Sequence, residues 1–339
     1  MNSFGTIFRI SIFGESHGES VGIVIDGCPA GLPLVAEDFL PDLERRKGGT
    51  QKGTTPRQED DYPIFKSGIF KNRTTGAPIT ILFENKNTRS EDYEKKKNIP
   101  RPGHADFVAN KKFAGFEDYR GSGHFSGRLT VALVAAGVIS KKILSKINIS
   151  AKILEIGGEQ DLEKGLQKAI AAKDSVGGII ECTAKDLPIG LGEPFFNSVE
   201  SQISQIVFSI PAVRAIEFGT GFAAAKMFGS EHNDAIRNTE GKTKTNHAGG
   251  VVGGLTNGND FVFRIAVKPT SSIAKEQKTL NRKTGKQEII SVKGRHDLCI
   301  ALRVPVVLES VTAIVLADLM LLEQQIPRRL FQEKNKLLK

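Results

Sequence analysis

Apolar and polar residues alternate from Thr6 to Phe13, break at Gly14–Ser20 and resume at Val21–Ile25. A period of two predicts a strand, a turn and a second strand. Ala36–Arg46 has helical spacing and ends at Gly48-Gly49. Gln51–Asp61 reads as a polar loop. Pro63–Phe70 and Pro78–Phe83 flank N-R-T-T-G, which predicts a hairpin. Lys86–Asp106 is long, charged and irregular, and connections of that length are usually functional or mobile. Ser126–Ile147 (SGRLTVALVAAGVISKKILSKI) is the clearest helix, and its small residues predict close packing in the interior. Ala151–Ile156, Glu159–Ala172 and Val176–Thr183 predict strand, helix, strand. Ser198–Ser209 reads as helix, Val213–Phe218 as extended, and Phe261–Val267 as a strand running into K-P-T-S-S. Leu308–Gln324 is a helix that Pro327 helps to stop. With no low-complexity linker and no repeat, this mixed order predicts one α+β domain.

Composition narrows the class. The 339 residues are 39% hydrophobic and 25% charged, an ordinary globular mix with enough chain for a real core. There is no Trp and there are 20 Phe, so aromatic packing rests on Phe. The net charge of +9 suits an anionic small molecule, nucleic acid or an acidic surface. Cys28, Cys182 and Cys299 are widely spaced and form no C-x-x-C, which points to a reduced, intracellular setting. The N-terminus lacks the basic and apolar regions of a signal peptide. No run approaches ~18 apolar residues, so no membrane span is expected.

Candidate chemistry gathers around the six histidines. His17, His104, His124, His232, His247 and His296 all sit in short segments rich in Gly, Ser, Asn and Asp. Glycine lets a backbone approach a ligand, and imidazole moves protons near neutral pH. Arg101, Arg120, Arg128 and Arg295 interleave the same loops. The combination implies proton transfer around an anionic, phosphorylated ligand.

Each motif has rival readings. In FGESHGESVG, Ser16 beside His17 suggests a nucleophile and its base, but strand neighbours point to opposite faces and no G-x-S-x-G elbow is present. A solvent-facing turn histidine and a proton-transfer histidine in a Gly-lined pocket are the alternatives. RRKGGTQKGTTPR lacks the interleaved aromatics that single-stranded nucleic-acid binding uses; Arg46, Lys52 and Arg57 reaching an anion pocket fits it better than a solvated basic loop. Arg101–Arg128 is the densest stretch and opens the long helix, where free N–H groups favour phosphate. It is neither a Walker loop nor G-x-G-x-x-G, and it has no metal-ligand spacing, so no metal is expected. GRHDLC is a salt-bridged surface turn if it stands alone, or the place of an Asp base beside a bound heterocycle.

Taken in order, FGESHGESVG, RRKGGTQKGTTPRQEDD, FKSGIFKNRTTGAPITILFENKNTRSEDY, RPGHADFVANKKFAGFEDYRGSG, SIPAVRAIEFGTGF, GSEHND, NHAGGVVGGLTNG, VKPTSSI and GRHDLC resemble the chorismate synthase family. The resemblance runs from about residue 5 to about 325, leaving 326–339 as a tail on one domain of 1–339. It implies a single-domain β-α-β sandwich of the chorismate synthase type, a cytoplasmic homotetramer with no nucleic-acid or membrane partner. It implies a 1,4-anti elimination of phosphate from 5-enolpyruvylshikimate 3-phosphate to give chorismate, with reduced FMN and no net redox change. His17 would then protonate the departing phosphate or manage its charge, His104 would lie near flavin N1 and Asp297 near N5, with Ser16 and Ser126 supporting proton transfer. Substrate anions would meet Arg46, Lys52, Arg101, Arg128 and Arg295. FMN would contact His124, Phe125, Ser126, Pro211, Ala212, Gly253, Lys268, Pro269, Thr270, Ser271, Ser272 and Arg295. Some members reduce FMN with NADPH; with no extra reductase-like segment, this chain reads as one served by a separate donor. Four positions depart from the commoner pattern. His124 and Phe125 replace Arg and Ser, Lys52 stands where many have Arg, and Leu298 stands where Pro is usual.

Overall fold

The computed structural model describes residues 1–49, 52–57, 59–88, 91–94, 96–292 and 296–330. Two antiparallel sheets enclose a layer of helices. The first sheet runs Ser3–Phe4, Arg9–Gly14, Ser20–Asp26, Ile79–Glu84, Ile64–Ser67 from edge to edge. The second runs Val213–Phe218, Phe261–Val267, Gly178–Lys185, Asn148–Ile156. Alternation explains their inner faces. Val21, Ile23 and Ile25 are buried against Ile79, Ile81 and Phe83 in one sheet, and Phe261, Phe263 and Ile265 face inward in the other.

Between the sheets lie the helices Thr130–Ile143 and Val304–Leu322. The first packs on the first sheet, the second on the other, and the two pack on each other. Both are buried nearly all round, as an interior layer demands. Gly137 is the reason they approach so closely: a Cβ there would lie 2.2 Å from Ser310 Cβ. The helix Ile300–Leu322 is apolar and long enough to cross a bilayer, but 89% of its most apolar stretch is buried here, so its composition is that of a core helix. It also carries two buried acids. Glu309 receives hydrogen bonds from Arg45, Lys141 and the Ala151 N–H. Asp318 accepts the backbone N–H groups of Thr6, Ile7 and Phe8 at 2.7–2.8 Å.

The α+β expectation holds, with shifted boundaries. The first long strand starts at Arg9 rather than Thr6, because the three preceding N–H groups belong to Asp318. The long helix starts at Thr130; Ser126 instead caps a short 3₁₀ turn, its Oγ accepting the Arg128 N–H. The last helix starts a turn earlier than Leu308, with Pro305 in its first turn, where a missing N–H costs nothing. The expected hairpin forms, but its tight turn is Lys71-Asn72, both at positive φ. Asp106–Lys112 and the pair Gln277–Leu280 and Gln287–Ile290 add a helix and a hairpin not read from the sequence. Cys28, Cys182 and Cys299 are buried and unlinked.

Gly137→Ala should destabilise the fold by about 1–3 kcal/mol, since the extra methyl forces the two central helices apart. A urea melt checks this; an unchanged midpoint would mean that the contact yields without cost.

Candidate active site

Loops from both sheets and both central helices line one cavity of about 960 Å³. Both helices begin on it: Leu129, Thr130 and Leu133 from one, Arg303, Val304 and Val307 from the other. Gly137 and Ser310 meet about two turns from those starts, so the helices run in the same direction with their N-terminal, positive ends side by side.

Ser16 and His17 occupy the turn between the strands Arg9–Gly14 and Ser20–Asp26. Ser16 is fully buried and His17 is 9% exposed, which removes the solvent-facing reading of His17. Arg57 donates to Ser16 Oγ at 3.1 Å and is itself paired with Glu59. The His17 ring packs edge-on to Tyr93 at 5.2 Å. Gly121 makes room for it: at φ +56°, a Cβ would sit 2.3 Å from His17 Cδ2.

Arg46 ends its helix, where a cation suits the dipole, and Arg128 precedes the helix Thr130–Ile143. Both bind the carboxylate of Asp61, Arg46 Nη2 to Oδ2 at 2.5 Å and Arg128 Nη1 to Oδ1. Burial pushes the Asp61 carboxyl up, but the two guanidiniums outweigh it and hold it below the usual carboxylate range.

Opposite, Asp106 gathers the RPGHAD loop. It accepts from His104 Nδ1 at 2.7 Å and from Arg101 Nε and Nη2 at 2.8 Å. Burial raises its carboxyl, and the hydrogen bonds from Arg101 and His104 bring it well below its ordinary value. A proton fixed on His104 Nδ1 leaves Nε2 toward Ser122 Oγ, 3.1 Å away. Asp297 lies between Arg303 Nη1 at 3.0 Å and the Thr55 N–H at 2.8 Å. The segment Lys268–Ser272 ties these loops together. Lys268 Nζ and Ser271 Oγ donate to the Gly103 carbonyl, Ser272 Oγ accepts from Arg101, and Thr270 donates to the Asp297 carbonyl. Pro211 and Ala212 line the wall beside it, with the Lys268 N–H donating to the Ala212 carbonyl.

Thus Ser16, His17, Arg46, Arg101, His104, His124, Phe125, Ser126, Arg128, Pro211, Ala212, Lys268, Thr270, Ser271, Ser272 and Asp297 converge. Lys52 does not line the cavity; it stands exposed in an ion pair with Glu163. Gly253 turns the small hairpin Val251–Val252 and Leu255–Thr256, away from the cavity, and Pro269 is adjacent to the lining without joining it. Arg295 lies outside the described residues. His232 and His247 stand 5.9 Å apart, ring to ring, elsewhere on the molecule. His124 bridges the Gly14 carbonyl and the Asn2 side chain, so it holds the first residues against the cavity wall. Sequence reasoning passed over Asp61, Asp106 and Arg303. The signals were present: an acid two residues after His104, and one arginine in the apolar run IALRVPVV.

The profile of the family described as chorismate synthase matches residues 8–321. The chain belongs to the chorismate synthase family. A chorismate synthase of Chitinophaga pinensis is 71% identical over 326 residues, covering 96% of this chain and 98% of that one. One from Methanocaldococcus jannaschii is 42% identical, with 95% and 96% covered. A crystal structure of a chorismate synthase shares the fold at TM-score 0.72 and 26% identity, covering 94% of this chain and 93% of that one. Family membership makes this chain an enzyme and makes the cavity its candidate active site.

His296, on the same wall, gives a pH test. Burial, helped by the nearby Arg101 charge, pushes its imidazole down from 6.5 to about 4. Between those values the unfolded chain takes up a proton that the folded chain refuses. Stability present above pH 6.5 is therefore lost as pH falls toward 4. His296→Gln should flatten that stretch of the stability profile; an identical slope in urea melts at pH 6.5, 5.5 and 4.5 contradicts it.

Proposed function

We propose that this chain eliminates phosphate from 5-enolpyruvylshikimate 3-phosphate to give chorismate, with reduced FMN bound in the same cavity. One observation carries the reading: two histidines, an anion-short arginine pair and the Asp297–Arg303 pair face a single cavity built over two helix N-termini.

The lining fits a flavin mononucleotide. Leu133, Ile206, Ile210 and Val307 supply apolar wall for a planar ring, while Lys268 and the hydroxyls of Thr270, Ser271 and Ser272 supply polar contacts. These residues, with Ser126, Pro211 and Ala212, would hold the cofactor; Lys52 and Gly253 lie off the cavity and are left out. Reduced FMN, when bound, supplies the transient electron density that an elimination from a non-acidic carbon needs. The chain's own groups orient and move protons. His17, fixed by Gly121 and Tyr93, protonates the departing phosphate. Ser16 takes a hydrogen bond from Arg57 into its oxygen, which leaves its own proton to give. Asp106 fixes the tautomer of His104. Arg303 and the Thr55 N–H hold Asp297 in place, where it would act on the proton at flavin N5 and so enable N5 to accept the substrate hydrogen.

The core runs without a break through both sheets, which supports one domain over the length of the chain. Phe195, Phe196, Phe222 and Phe228 stand largely exposed, which supports a homotetramer that covers them. Reduction of FMN by a separate donor, rather than by NADPH on this chain, completes the proposal.

Phosphate release from the substrate, measured without oxygen, should require reduced FMN and consume no stoichiometric reductant. Failure under those conditions, with FMN bound, overturns the assignment. Asp297→Ala should leave FMN affinity near wild type and lower kcat by roughly 10²-fold or more. His17→Ala should lower kcat more than it raises KM, because a proton given in the transition state is missing. A rise in KM alone would make His17 a binding residue.

A further inference from the structure

Asp61 has no accessible side-chain surface and sits at φ +52°, a left-handed conformation that few residues other than glycine adopt. Its two oxygens are divided between two arginines from distant parts of the chain. Both guanidiniums are tied further. Arg46 Nη1 donates to Thr130 Oγ1 at 3.4 Å; Arg128 donates to Asn85 Oδ1 at 2.9 Å and to the Glu84 carbonyl at 3.1 Å. Arg46 Nε is buried and has no hydrogen-bond partner among the described residues.

The charge count is uneven. Arg57 has Glu59, Arg101 has Asp106 and Arg303 has Asp297, whereas Arg46 and Arg128 share one carboxylate. Among the described residues, two guanidiniums against one carboxylate leave one surplus positive charge, beside the start of the helix Thr130–Ile143. A buried surplus charge calls for a counter-ion, and a planar guanidinium pair near a helix N-terminus matches a phosphate group.

We propose that Asp61 is a positioning residue: its single carboxylate clamps Arg46 and Arg128 next to each other and leaves the pair one charge short, so that the phosphate group of the substrate completes it. This rests on the proposed function for the identity of the substrate, but its core can be tested with inorganic phosphate alone.

Two roles for Asp61 predict opposite signs. If it only neutralises charge, Asp61→Asn frees a second cation and phosphate binds more tightly. If it positions, the guanidiniums lose their common anchor and phosphate binds more weakly. We expect weaker binding to the full chain by calorimetry, by roughly tenfold or more, with a matching rise in substrate KM and a kcat changed less than about threefold. Asp61→Glu keeps the charge and displaces the carboxylate by one methylene; it should shift both constants in the same direction, and it carries the test if Asp61→Asn does not fold. Equal or tighter phosphate binding in a folded variant overturns the proposal, as does a wild-type chain that binds no phosphate at millimolar concentrations. A wild type whose phosphate binding depends on Asp61 but that never releases phosphate from the substrate defeats the proposed reaction and leaves this inference standing.

Discussion

The close contact of two interior helices sets the rest of the structure. Gly137 lets the helix Thr130–Ile143 lie directly against Ser310, and each helix then covers one sheet. Because they run in the same direction, their N-terminal ends emerge together at one end of the sandwich. The loops of Ser16 and His17, of Arg101–Asp106 and of Asp297 all reach the cavity at that end. The positive ends of two helix dipoles favour anions there before any arginine is counted.

The arginines are then used with restraint. Most are tied to a neighbouring carboxylate in the described structure, so the cavity is rich in fixed guanidiniums, with Arg46 and Arg128 sharing one carboxylate. Tethering of that kind costs flexibility and supplies geometry: a side chain held at both ends is already in place when its ligand arrives. The segment Lys268–Ser272 does the same for the backbone. Its hydroxyls and ammonium connect the loop of His104 to the loop of Asp297, so the two loops share one scaffold.

How much of this could be read beforehand depended on the range of the interaction. Strands and helices followed from local period, and their errors sit where a distant group intervenes, as at Thr6–Phe8. The order of strands in the sheets was invisible, because it depends on pairing between residues far apart in the chain, as between Gly178 and Val267. Histidines and arginines in Gly-rich loops pointed to the cavity, and four of the six histidines line it. His232 and His247 shared the same local composition and ended elsewhere, which shows that loop chemistry alone does not say which loops meet. The partner acids were missed because Asp61 lies in a run, RQEDD, that resembles any solvated turn. Its burial arises only when two arginines from elsewhere close over it.

The bond between Asp318 and the N-H groups of Thr6–Phe8 also bears on how the molecule is made. The Phe8 contact spans 310 positions. At translation speeds of roughly 5–20 residues per second, the acceptor leaves the ribosome about 15–60 seconds after the donors do. Through that interval the opening turn has no carboxylate to settle on. The turn ahead of the first strand is thus fixed only once the last helix has been made, whereas the strand itself can pair early with its neighbour Ser20–Asp26.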